Sequence, residues 1–499
     1  MRNQRKTGMM LSYLSQVIHI ISGIMYTPIM LRLLGQSEYG LYQLVYSVVS
    51  YLSLLSFGFS SSYIRFYSRI SKKNNKKELD SFNGMFMTIF IFIAIVCLLC
   101  GVVMVFNIEK IFGNGLTERE YTTARILMAL MVINLTMTFP GSVFDSITAA
   151  HERFFFQKML SVLQNLLNPF ITLPLLIMGY GSIAMVLVTT GLTIAKLLVN
   201  MTYCLKKLQI VFTFKNFNLG LLKEMWIFTS FIFINLVVDQ INWSVDKFLL
   251  GRLSGTIAVA IYGVGGQLNT LYLELSTSVS NVFIPKVNQI VVNADNQHEL
   301  TELFTKVGRI QFMILALIMS GFILFGEYFI ELWAGESYKQ SYYVAITLML
   351  PVTIPLIQNL GIEIQRAKNM HKTRSFVYLF VAISNIFLSI PLIKNYGAFG
   401  AALGTSVTLL LGNGLFMNWY YKTKVKLDIG YFWKQIVSIF PSIIFSAAVA
   451  LVVRKFIPIN GFVIWACEGV FYVIIYCALL WKFSMNANEK AIIVSFQRK

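Results

Sequence analysis

Two apolar stretches of this chain carry polar residues at helical spacing, and these give the first chemical signal. Between 226 and 250, Asn235, Asp239, Asn242 and Asp246 follow one another at intervals of four, three and four, which places them on one helical face. Lys247 comes directly after. Between 257 and 283, Gln267, Glu274 and Asn281 recur every seven residues, and between 9 and 31 Ser12, Ser15, His19, Ser22 and Tyr26 share a face. A stripe of this kind either lines an aqueous cavity or pairs with another helix. Asp239, Asp246 and Glu274 are each able to carry a proton or hold a small cation. The cations at similar positions are Arg32, Arg65, Lys196, Lys247 and Arg366. They are suited to balancing an anionic cargo, Arg above all where two-pronged contact with phosphate is needed.

Each candidate has a plainer reading beside it. Ser12, Ser15 and Asn281 fit interhelical glue, worth about 0.6 kcal/mol per contact. His19 fits a hydrogen-bonded packing residue. Asp246 and Lys247 lie near a span end and read equally as interfacial. Lys196 reads as snorkelling towards the cytoplasm, and Arg65 and Arg366 as cytoplasmic anchors. Asp239 sits near the middle of its span, where an ionised group costs about 2.5–3.5 kcal/mol on insertion scales, so a functional role is expected there.

The elements that hold these residues are apolar runs of about 20 residues, each long enough to cross a ~30 Å hydrocarbon core as a helix. About fourteen are countable, from 9–31 through 226–250 and 257–283 to 461–482. The chain is 57% hydrophobic and only 13% charged, which excludes an ordinary soluble domain. Its net charge of +19 comes from 41 Lys and Arg concentrated in alternate loops, most of all between Arg65 and Lys77. With the N-terminus inside, that bias follows the positive-inside rule, and both termini are expected in the cytoplasm. Anionic headgroups therefore explain the basic residues, and nucleic acid is not an expected partner.

Enzymatic chemistry finds little support. Cys97 and Cys100 form a CxxC spacing inside an apolar run, which reads as small hydrophobic filling rather than a redox pair. The four histidines have no ligand spacing, so no metal site is expected. Gly263, Gly265 and Gly266 follow no strand, and no phosphate-binding loop is present. Loops are short, without a soluble domain, so no catalytic residue is assigned and no cofactor is expected beyond a proton or sodium gradient. Pro140, Pro169, Pro174, Pro351, Pro355 and Pro391 predict kinks.

An internal repeat is legible at an offset of roughly 216 residues. Leu34-Gly35 with Tyr39-Gly40 answers to Leu250-Gly251 with Tyr262-Gly263, and Pro140 to Pro355. Asn168 and Pro174 answer to Asn385 and Pro391, and Tyr180-Gly181 to Tyr396-Gly397. The expected organisation is all-α and polytopic: one six-helix lobe over 1–210, a pseudo-symmetric second over 211–425, and two further helices with a tail over 426–499. Six spans per repeat gives both lobes the same orientation, with the substrate path between them.

The run Leu31-Arg-Leu-Leu-Gly-Gln-Ser-Glu-Tyr-Gly40 resembles the opening signature of Wzx-type polysaccharide flippases, in the multidrug/oligosaccharidyl-lipid/polysaccharide exporter superfamily. Asp246-Lys-Phe-Leu-Leu-Gly251 resembles the matching element of the second half. The resemblance implies a flippase that moves undecaprenyl-pyrophosphate-linked oligosaccharide to the outer face of a bacterial cytoplasmic membrane for capsule, O-antigen or exopolysaccharide. It further implies a V-shaped pair of lobes with alternating access, ion-gradient coupling, and polysaccharide polymerase and chain-length machinery as partners. Charged cavity residues hold the headgroup in that superfamily; here the only Arg of the first span is Arg32, at its external end. A peptidoglycan-precursor flippase, a cation-coupled multidrug extruder, and a membrane polymerase or ligase are the alternative readings.

Overall fold

A computed structural model describes residues 2–72, 75–113, 115–281, 283–293, 296–368, 370–487 and 489–491. The side chains of Ser12, Ser15, His19 and Asn281 lie outside the described residues. The chain is an all-α, multi-pass membrane protein, and among the described residues there is no strand. Among the described residues ten helices are long and apolar enough to cross a membrane, or eleven with one bent pair taken together. Three of these stretches, Ile20–Ser71, Leu219–Thr277 and Thr373–Val425, run 52, 59 and 53 residues. Each exceeds twice the ~20 residues of one crossing and contains a break, so the total is consistent with about fourteen crossings.

The chain divides into two compact units, Met1–Ala260 and Ile261–Lys499. The first contains α1 (Arg2–Val49), α2 (Phe59–Ser71), α3 (Lys76–Phe106), α4 (Ile108–Phe112), α5 (Glu118–Ala150), α6 (Phe154–Ile177) and α7 (Gly181–Thr202). The long α8 (Leu219–Asn281) begins in it and continues into the second. The second goes on with α9 (Ile284–Asn293), α10 (Gln297–Trp333), α11 (Ser341–Ile357), α12 (Leu360–Ala367), α13 (His371–Leu409), α14 (Met417–Tyr420), α15 (Ile429–Val437), α16 (Phe440–Phe456) and α17 (Phe462–Leu479).

Local chemistry sets several of these ends. The Asn75 side chain caps α3 by accepting from the Glu78 amide, and Thr117 with Glu120 forms a reciprocal capping box on α5. Inside α1 and α8 the breaks fall at Gly35 (φ 74°, ψ 173°) and Gly255 (φ 80°, ψ −177°), a conformation open to glycine at little cost. The near-identical angles make these two the equivalent turning points, so Gly35 pairs with Gly255 by backbone and not with Gly251. Gly181 and Gly397 likewise share positive φ, at 62° and 54°. The bend after Pro351 and Pro355 is real: α11 and α12 meet at 43°.

Lipid offers helices no hydrophobic drive to associate, so close packing and internal hydrogen bonds hold them together. In the first unit, Tyr63, Phe86, Phe90, Phe139 and Phe144 interlock with Met225 of α8. Tyr63 keeps its hydroxyl satisfied by donating to Asn83 Oδ1 at 2.7 Å. In the second, Phe304, Phe312, Tyr421, Phe432, Tyr472 and Tyr476 form the core. Arg309 lies buried within it and donates to both carboxylate oxygens of Glu489, at 2.7 and 3.1 Å. The same guanidinium donates to the Gln435 and Ser484 carbonyls and to Ser438 Oγ.

Candidate substrate site

A polar cluster of the first unit joins α5, α6 and α7. Lys196 of α7 turns its ammonium to Asp145 of α5, 3.4 Å away, with 28% and 41% of the two side chains exposed. Asn200, one turn on, donates to the other Asp145 oxygen at 2.6 Å. Gln157 of α6 donates to the Asp145 carbonyl at 2.5 Å and to Thr148 Oγ1 at 2.7 Å. Half-exposed ions inside apolar helices are sustained by such partners and by access to water.

A second group connects α1 with the first half of α8. Lys247 donates to Gln43 Oε1 at 2.9 Å, and Gln43 in turn donates to the Tyr39 hydroxyl. Gln240 donates to Ser50 and Ser244, whose hydroxyls lie 3.2 Å apart. The stripe predicted on this helix is divided by depth. Asp246 is 1% exposed, Asn242 and Lys247 are half-buried, and Asn235 and Asp239 are exposed.

The remaining candidates are spread out. Arg32 is exposed near the Gly35 turn. Arg65 is exposed and stacks its guanidinium 4.5 Å over the Phe228 ring, while Arg69 grips Glu224 with two bonds of 2.6 and 2.7 Å. In the second unit Gln267 and Glu274 are half-buried, and exposed Arg366 pairs with Glu363 of its own helix at 2.7 Å.

Near the Gly35 and Gly255 turns one carboxylate gathers three segments. Glu120 accepts from Ser37 Oγ at 2.6 Å, from Thr256 Oγ1 at 2.8 Å, and from the amide and hydroxyl of Thr117, both at 2.9 Å. Glu38 similarly accepts from the amide and hydroxyl of Ser182 at the start of α7.

Comparison with known proteins decides the family. Residues 6–291 match the family described as "Polysaccharide biosynthesis protein". The chain belongs to that family. This polysaccharide biosynthesis protein is 21% identical over 500 residues to "Uncharacterized membrane protein EpsK" of Bacillus subtilis (strain 168), across 97% of this chain and 96% of that one. It is 20% identical to a "Putative O-antigen transporter" of Shigella flexneri, across 78% and 91%. Among solved structures, "Lipid II flippase MurJ, inward closed conformation" shares its fold with a TM-score of 0.72 at 18% identity, over 95% of this chain and 99% of that one.

Sequence reasoning on this family member missed Asp145, Gln157, Gln43, Gln240 and Glu120. Asp145 was open to the reading given to Asp246, being a carboxylate close to the end of an apolar run. The glutamines had no spacing signal, because each pairs with a different helix and none repeats along its own.

Proposed function

We propose that this protein carries undecaprenyl-pyrophosphate-linked oligosaccharide from the cytoplasmic to the outer face of a bacterial cytoplasmic membrane. Transport runs by alternating access, draws on a proton or sodium gradient, and serves capsule, O-antigen or exopolysaccharide synthesis with a polymerase downstream. Both termini lie in the cytoplasm. What supports this reading most is the Lys196–Asp145–Asn200–Gln157 cluster, a partly exposed ion pair backed by the buried amide of Asn200 and by Gln157 among membrane helices. Such a set suits a cargo that is both anionic and rich in hydroxyls. The membership in a polysaccharide biosynthesis family and the name of the Shigella relative agree with it.

The decisive experiment is mass spectrometry of polyprenyl-linked sugars from cells with and without the gene, with the membrane face of the lipid probed in the same extract. Build-up of complete units on the inner face, with lost surface polymer, is expected. Intact polymer with no build-up overturns the reading. Asp239→Asn is expected to impair transport at unchanged membrane level, and normal polymer output from it removes Asp239 from the site. Rescue of a strain depleted of its lipid II flippase would assign the cargo to peptidoglycan instead.

A further inference from the structure

The second unit contains a groove of about 950 Å³ between the two halves of α13 and the π-helical turn Leu410–Phe416 that follows it. Phe376, Phe380 and Phe387 edge it, 69%, 72% and 72% exposed, with Val377, Val381 and Phe416 behind. Its floor is closed by Gly412, where an added Cβ would collide with Val381. From Phe376 to Phe387 the helix rises about 16 Å. The π-helical turn widens the backbone at this place, as such turns often do at functional sites.

One end of the groove is charged and the other is not. Arg374, adjoining the lining residue Thr373, holds its guanidinium 4.6 Å over the Tyr378 ring, and Arg366 and Lys368 precede it in the chain. The charge bias of the loops assigns that end to the cytoplasm. Apolar aromatic walls that begin beside a basic stretch of the chain, with Arg374 next to the lining residue Thr373, are complementary to an amphiphile with a long unsaturated chain and a phosphate terminus. The repeat sharpens the choice. The counterparts of Gly412 and Phe416 in the first unit, 216 residues earlier, are Lys196 and Asn200, which build the charged cluster there. The same scaffold position is thus polar in one copy and apolar in the other.

We propose that this groove seats the polyisoprenoid tail of the cargo with its phosphate end towards Arg374. The inference rests on the lipid-linked reading above and assigns the tail a place on the protein. A polyprenyl pyrophosphate with a photoactivatable group in its tail, added to the purified full chain in phosphatidylglycerol/phosphatidylethanolamine nanodiscs, tests it. Label is expected within 373–388 and 408–416. Unlabelled polyprenyl pyrophosphate should lower it about tenfold, while added phosphatidylglycerol leaves it unchanged. Ser384→Trp, which fills the groove, is expected to reduce label by a similar factor at unchanged thermal stability, and Val377→Trp serves if the first variant misfolds. Label spread over all lipid-facing helices, or displaced equally by phosphatidylglycerol, overturns the proposal. Full polymer export by a folded Ser384→Trp protein also overturns it and leaves the transport reading intact. Specific label in a protein that exports no polymer sinks the transport reading and keeps the groove.

Discussion

The helix pair α6–α7 and the two halves of α13 are the same device built twice, and they differ in what fills it. In the first, Asn168 donates to Thr189 at 3.1 Å and accepts from Thr172 one turn on. In the second, Asn385 donates to Thr405 at 3.4 Å and accepts from Ser389 one turn on. Both pairs turn at a glycine of positive φ, Gly181 or Gly397. Around this common frame, Lys196 and Asn200 engage Asp145 in the first copy, whereas Gly412 and Phe416 border an apolar groove in the second. Hydrogen bonds common to both copies hold the helices, and the positions that differ carry a charged cluster in one copy and an apolar groove in the other.

The comparison breaks hardest if charge is tolerated where the second copy has none. Gly412→Lys is expected to cost about 3 kcal/mol, from burial of an ammonium and collision with Val381, read as a lost folded fraction in detergent. Near-wild-type stability would show that the apolar groove is incidental. A smaller effect comes from the first copy. Lys196→Met and Asp145→Leu, made singly and together, should show a coupling of about 1 kcal/mol in export rate, held down by the exposure of both side chains. Strict additivity would mean the two do not act as a pair. The smallest effect tests the frame itself. Asn168→Ala and Asn385→Ala should each destabilise by about 0.6–1 kcal/mol in unfolding titrations, and a large inequality would end the claim of a shared scaffold.

Much of this was legible in the sequence, because a membrane restricts the choices. Runs of about 20 apolar residues permit only helices. The pairing of Asn168 with Asn385 was readable because the same residue types keep the same hydrogen bond. Gly35 and Gly251 looked equivalent by their flanking letters, yet the turn recurs at Gly255, since backbone angle and not local spelling defines the position. Periodicity put Asp239 and Asp246 on one face but carried no information on depth, which depends on neighbouring helices and leaves one exposed and the other buried. Glu120 became visible only when distant segments came together around it.

The socket around Arg309 has a consequence for biogenesis. Its carboxylate partner Glu489 is translated 180 residues later, after several further helices have been made. Throughout that interval the guanidinium lacks its counter-ion, and a chain released early retains an uncompensated buried charge worth about 3–5 kcal/mol. A product that stops before Glu489 is therefore expected to leave the core around Arg309 less tightly closed than the full pair does.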